Sequence, residues 1–324
     1  MTRMGNSSRS KMAFSKYTRR AHHAGSWYSD SKDDLDAMLS SALDDVDATA
    51  STSVRGIICP HAGYSYSGPT AAYSYHALAK ELEAANSPVR HLLVLHPSHH
   101  VYLDGCAISG ATTIETPVGD LRVDDALRDE VRQLFVKDKL DFTYMSQSVD
   151  EEEHSGEMQY PYIAKCIPDS KKDDITVLPI MCGNLSTSKE AAYGKCLASI
   201  VQRRDVLCII SSDFCHWGKR FAYQPTGSVA TRKIHEYIRE MDHAGMDKIQ
   251  LQEPGAFAAY LKATRNTICG RHPIAVWLNA VHHNDKALQK EALNIAWVKY
   301  AQSSEVRSMR DSSVSYASAV ATKA

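Results

Sequence analysis

Three short aliphatic runs, each leading straight into a histidine-bearing turn, constrain this chain more than any other feature. Ile57-Ile58-Cys59 leads into Pro60-His61-Ala62-Gly63-Tyr64, Leu92 to Leu95 into His96-Pro97-Ser98-His99-His100, and Val206 to Ile210 into Ser211-Ser212-Asp213-Phe214-Cys215-His216-Trp217-Gly218. Aliphatic runs without polar alternation, bounded by Gly, Pro and Ser, read as strands covered on both faces. Open α/β sheets place their ligands beyond the carboxyl ends of such strands. The chain is therefore expected to be an α/β protein that delivers imidazoles to the place where its fold does chemistry.

The intervening segments fit this plan. Leu35, Met38, Leu39 and Leu43 recur at helical spacing within 30–46, with Ser29 or Asp30 as the cap. Helices are predicted near 69–85, over 124–136 with Leu127, Val131 and Leu134 on one face, and over 189–203; strands are predicted at 106–109, 114–116 and 175–181. Helices near 228–243, 255–263 and 273–283 and a strand near 294–300 follow. No repeat of fixed period and no Pro/Ser/Gly-rich linker divides the chain, so a single domain is expected.

A formal net charge of -1 supplies no overall field for nucleic acid or an anionic membrane, and no run approaches the length of a membrane span. Nucleic-acid binding is thus not expected. The 8 cysteines stand at irregular intervals, several inside apolar runs and none in a C-x-x-C pair, a pattern of reduced thiols in a cytosolic-type compartment. The first 29 residues carry Arg3, Arg9, Lys11, Lys16, Arg19 and Arg20 and no acid, the composition of a disordered tail or of a mitochondrial targeting segment. The apolar periodicity of a targeting helix is weak there, which favours the tail.

Several residues invite a chemical reading, each with a bland counterpart. A single histidine after a strand is most often a packing residue, but His61, His99, His100, His154 and His216 recur in similar loops. Asp213 and His216, three apart, have the spacing at which a carboxylate orients an imidazole as a general base or a metal ligand. An Asx-type turn is the alternative. Cys269 precedes a helix expected to start at Pro273, and the helix amino end and Arg271 would favour its thiolate. Glu153, His154 and Glu157 can share one helical face and add donors to the cleft, or be a solvated acidic helix start.

Taken in order, His23-Ala24-Gly25-Ser26-Trp27-Tyr28, Pro60-His61-Ala62-Gly63-Tyr64, Pro97-Ser98-His99-His100, Glu153-His154-Ser155, Ser211 to Gly218, Cys269-Gly270-Arg271-His272-Pro273 and Asp311 to Tyr316 resemble the Memo family, mediators of ErbB2-driven cell motility. The resemblance runs from about His22 to Ala319. It implies a three-layer α/β/α domain with a central mixed sheet, akin to the extradiol ring-cleaving dioxygenases. On it the chain divides into a disordered basic tail, 1–20, and a single Memo-like domain, 21–324.

The same resemblance implies that His61, His99 and Cys269 are metal-binding positions, that His216 matches a catalytic base, and that Asp213 lines the cleft. The dioxygenases complete their iron site with a carboxylate where this chain has Cys269; two imidazoles and a thiolate are softer and suit copper or zinc as well as iron. Gln159 stands where some relatives have His. The implied cofactors are copper or iron, with zinc a third option. The implied partners are a phosphotyrosine-containing peptide or signalling protein, or a small-molecule substrate.

The leading expectation is a metal-binding cleft acting in redox-linked signalling to cell motility and the cytoskeleton, in the cytoplasm and in some settings the nucleus. Alternatives from other classes are a small-molecule oxidase or dioxygenase, a cysteine hydrolase built from Cys269, His216 and Asp213, and a non-catalytic phosphopeptide-binding protein.

Overall fold

The aliphatic runs do become strands without solvent on either face: every residue of 54–59 and of 206–211 is buried, as is all of 92–97. The computed structural model describes residues 15–47, 53–227, 233–283 and 293–324. In chain order its elements are β1 (Tyr17–Arg19), α1 (Lys32–Asp44), β2 (Val54–Cys59), α2 (Tyr64–Glu83), β3 (His91–Pro97), β4 (Cys106–Ile108), β5 (Ala111–Ile114), β6 (Leu121–Arg122), α3 (Asp125–Lys137) and β7 (Phe142–Tyr144). There follow α4 (Gln147–Glu152), α5 (His154–Glu157), α6 (Tyr160–Cys166), β8 (Thr176–Cys182), α7 (Thr187–Val201), β9 (Val206–Ser211), β10 (His216–Gly218), α8 (Ile234–Gln250), α9 (Pro254–Thr264), α10 (Arg271–His282), β11 (Leu293–Gln302) and β12 (Ser312–Lys323).

The main sheet is mixed and runs β10-β12-β2-β9-β3-β8-β4-β7, with β11 paired to β12; β1, β5 and β6 form a small second sheet. β2, β9, β3 and β8 are mutually parallel, whereas β12 is antiparallel to β2 and β4 to β8. Helices cover both faces. Ser74 of α2 donates to the Ile58 and Ala319 carbonyls, while a Cβ at Gly56 of β2 would meet Trp277 of α10. Two helices that touch the same strand from different sides enclose it, which is the layered arrangement expected.

Three readings needed revision. The helix predicted from Pro69 begins five residues earlier, at Tyr64, because Gly63 caps it and Tyr64 is pinned by its N–H to the Trp27 carbonyl. The longest strand, β12, was not anticipated. Nor does the basic tail extend to residue 20: Tyr17–Arg19 pair with β5, and Arg19 is wholly buried against Asp150 and Glu157, which balance its charge. Residues 1–14 of that tail and the expected helix start at 228 lie outside the described residues. Among the described residues no helix is long and apolar enough to cross a membrane.

Candidate metal centre

Because β2, β9 and β3 are adjacent and parallel, their carboxyl ends at Cys59, Ser211 and Pro97 lie side by side. The turns that follow therefore deliver His61, Asp213 and His99 to one place, as the rule for open α/β sheets requires. Two further segments close the site. Residues 153–157 pack against the end of β3, and the turn before α10 presses onto the end of β9, where the Gly270 N–H donates to Ser212 Oγ. A Cβ at Gly270 would collide with Ser212 and the Ser211 carbonyl, so only glycine lets Cys269 approach this closely.

Among the described residues, His61, His99 and His154 form the group able to hold a metal ion, with one ligand nitrogen from each ring lying within 4.8 Å of the others. Their ring centroids are 5.2 Å (His61–His99), 5.5 Å (His61–His154) and 4.5 Å (His99–His154) apart, the last pair stacked. Nitrogens bound to one ion at about 2.0–2.1 Å stand at most about 4 Å apart, so binding would draw the rings slightly inward. The Cys269 thiol is 3.0 Å from His61 Nε2 and donates to it.

Outer hydrogen bonds set the direction of each lone pair. Glu153 accepts from His99 Nδ1 at 2.8 Å and from the His99 backbone N–H at 2.6 Å, which leaves His99 Nε2 bare. Ser211 Oγ donates to the Ser155 carbonyl at 2.7 Å and so must accept from His61 Nδ1 at 2.7 Å, which puts the His61 lone pair on Nε2, where the Cys269 thiol meets it. Gln159 Nε2 donates to the same Ser211 oxygen at 3.0 Å. His154 Nδ1 is buried without a hydrogen-bond partner, and its ring lies against Trp27. A carboxylate or hydroxyl behind a histidine that fixes its tautomer is the usual support of a metal ligand, and the donor set present fits an ion that takes nitrogen and sulfur.

Burial drives the electrostatics. It pushes His61 well below the ordinary histidine value, helped by the charges of His99 and His154, and brings His154 down to about 3. Both rings are thus neutral and free to ligate at physiological pH. For Glu153 burial opposes the charge, yet the hydrogen bond from His99 and the nearby imidazoles hold its carboxyl well below the usual range. Asp213 is raised, first by burial. Burial and the Asp213 charge also raise Cys269 well above a free thiol, the opposite of the thiolate expected from the helix amino end; a metal would have to displace its proton.

The five residues singled out from sequence are thus unequally placed. His61, His99 and Cys269 converge, although Cys269 touches His61 rather than completing a compact trio. Asp213 accepts from the His61 backbone N–H at 2.8 Å and stands 4.0 Å from His61 Nε2; it makes no hydrogen bond to His216 among the described residues. His216 is instead held by the Phe214 and Thr267 carbonyls, at 2.9 and 3.1 Å from Nδ1, so its Nε2 is the basic nitrogen. Among the described residues no hydrogen bond joins Cys269 to His216 or His216 to Asp213, so the Cys269–His216–Asp213 relay of a hydrolase is not assembled. His154, left open by the sequence, joins the group. Glu157 does not: it is buried with Arg19, His23 and Tyr28.

The family profile described as Memo-like protein matches residues 19–320. The protein memo-1 homolog of Caenorhabditis elegans is 42% identical over 307 residues, covering 95% of this chain and 83% of that one. The human protein MEMO1 is 42% identical over 94% of this chain and 97% of its own, and that of Xenopus laevis 44% identical over 92% and 95%. Among solved structures, an uncharacterized protein of Escherichia coli K12 aligns with 80% of this chain and 98% of its own at a TM-score of 0.46 and 13% identity.

Proposed function

The chain belongs to the Memo family, and from that premise we propose that its cleft is a redox-active metal site acting in signalling to cell motility and the cytoskeleton. The observation that carries the metal reading is the meeting of three imidazoles, two of them with tautomers fixed from behind so that a lone pair faces the shared space. His61 and His99 are the first ligands, with Cys269 and His154 as the candidates to complete the set. Nitrogen and sulfur donors suit copper or iron, and zinc as a third choice. A copper or iron ion held there would supply one-electron exchange.

The protein's own residues have separable duties in this reading. Glu153 and Ser211 orient His99 and His61. Asp213 anchors the His61 backbone. His216, with Nδ1 committed to carbonyls, offers Nε2 to accept a proton from a molecule in the cleft. That feature also favours a second reading, a metal-dependent oxidase or dioxygenase of a small molecule. The free state of all eight cysteines is compatible with action in the reducing cytoplasm.

The deciding experiment is elemental analysis of protein purified without added metal, compared with Cys269→Ser and His61→Ala variants. Stoichiometric copper or iron in the parent, reduced in both variants, supports the proposal. Metal-free parent protein that also fails to bind added copper or iron overturns it.

A further inference from the structure

Cys106 and Cys182 stand directly opposite each other on the antiparallel strands β4 and β8. The Gly183 N–H donates to the Gly105 carbonyl at 2.9 Å and the Ser109 N–H to the Pro179 carbonyl at 3.1 Å, so 105/183 and 109/179 are hydrogen-bonded positions of this ladder. Alternation then makes 106/182 a non-hydrogen-bonded pair. The Cys106 N–H agrees, pointing away from β8 to the Asp141 carbonyl at 3.4 Å. At such positions Cα atoms are about 4.5 Å apart, and a disulfide spans about 4.4–6.8 Å. The two cysteines therefore meet its requirement, near the short end of the range, with little movement of the backbone.

Opposed residues of an antiparallel pair share one face of the sheet, and the Cys182 thiol is the group that the Cys106 thiol engages. Both are buried, and burial together with Cys182 raises the Cys106 thiol well above its ordinary value. A sulfur that stays protonated reacts slowly, so the pair answers sustained oxidant and ignores a brief exposure. Its position in the fold matters as much. Cys182 is also in register with Pro97 of β3, so Pro97, Cys182 and Cys106 form one row across three strands. Pro97 and Cys106 are the two feet of the segment 98–105, which carries His99 and His100. That segment is pressed against the end of β8: a Cβ at Gly183 would overlap the Leu103 carbonyl.

We propose that Cys106 and Cys182 are an oxidation site that closes into a reversible disulfide, fastening β4 to β8 at the base of the segment that carries His99. Hydrogen peroxide is the oxidant. One thiolate attacks it and the O–O bond breaks, leaving a sulfenic acid and a hydroxide that takes the thiol's proton. The second thiolate displaces hydroxide from that sulfur, the S–S bond forms, and this hydroxide takes the second proton. Two electrons thus pass from the sulfur pair to one peroxide, which becomes two waters. A link at the short end of the permitted span is strained and readily reduced, so a reducing compartment keeps the pair as thiols. The inference stands whether or not a metal binds in the cleft.

The test exposes the folded full chain to hydrogen peroxide with a chelator present, blocks free thiols with iodoacetamide in denaturant, and identifies cross-linked peptides by mass spectrometry. A Cys106–Cys182 pair is expected as the predominant linkage, lost on treatment with dithiothreitol. Cys106→Ala and Cys182→Ala should each abolish it, while Cys196→Ala and Cys269→Ser retain it. The parent protein alone decides the matter if an alanine variant fails to fold. Three results would each overturn the proposal: Cys106 and Cys182 both still alkylated once Cys269 is fully oxidised, Cys106 joined predominantly to Cys196, or a Cys106–Cys182 link that forms only after unfolding in urea. Because the chelator removes metal throughout, none of these results bears on the metal reading of the cleft.

Discussion

Glu153 holds His99 at two points, accepting from the ring Nδ1 at 2.8 Å and from the backbone N–H at 2.6 Å. Glu153→Ala removes both and should lower metal affinity about 10–100-fold, the range found when the outer partner of a metal-bound histidine is lost. Competition titration with a chromophoric chelator reads this directly. Unchanged affinity would mean that His99 is not a ligand.

Cys269 and His154 make different predictions for copper. If the sulfur ligates, Cu(II)-loaded protein shows a thiolate charge-transfer absorption that Cys269→Ser abolishes while His154→Ala retains it. If the ion sits among the three rings instead, His154→Ala costs more affinity than Cys269→Ser and the absorption is missing throughout.

Gly270→Ala drives a methyl group into Ser212 and the Ser211 carbonyl. Overpacking of this kind costs about 1–3 kcal/mol, and here it also moves Cys269 away from His61. The expected result is a lowered urea midpoint together with weaker metal binding; a Gly255→Ala control, where the added carbon meets nothing within 4 Å, leaves metal binding unchanged.

Arg19 is wholly buried, with Nε 3.0 Å from Asp150 and Nη1 2.7 Å from Glu157. Arg19→Met strands both carboxylates and should destabilise the fold by about 3–5 kcal/mol. Equilibrium urea unfolding measures it, and a loss below about 1 kcal/mol would place the pair among weakly contributing ion pairs.

Acid should unfold the protein partly through Glu157. Burial raises its carboxyl, but the hydrogen bond from His23 and the Arg19 charge outweigh this and take it from the usual 4.5 down to about 2. A depressed carboxyl contributes stability that is complete above the unfolded value and lost as the pH falls from about 4.5 towards 2, on the order of 3 kcal/mol in all. Glu157→Gln should flatten the stability curve across that window in thermal melts.

The sequence made the strand ends readable because a buried strand has to be an aliphatic run and a site after it has to be a turn; His61, His99 and Asp213 follow from that alone. What escaped it depends on contacts distant in the chain. β12 is rich in Ser and Ala, residues with little strand preference, and exists because it pairs with β2, β10 and β11 at once. Three-residue β1 owes its place to β5 and to the carboxylates that receive Arg19. Glu153 and Glu157 looked alike in an acidic stretch, and only the fold gives one to His99 and the other to Arg19. Gln159, notable in the sequence as a missing histidine, serves the site from beneath through Ser211.

One short peptide gathers these threads. Residues 153–157 supply the carboxylate behind His99, the ring of His154, the carbonyl that orders Ser211 and through it His61, and the counterion of Arg19. The orientations of all three rings are thus leashed to a single stretch of backbone, itself tied to the protein's amino-terminal strand. Injury to that stretch should disable the centre in one stroke instead of by degrees.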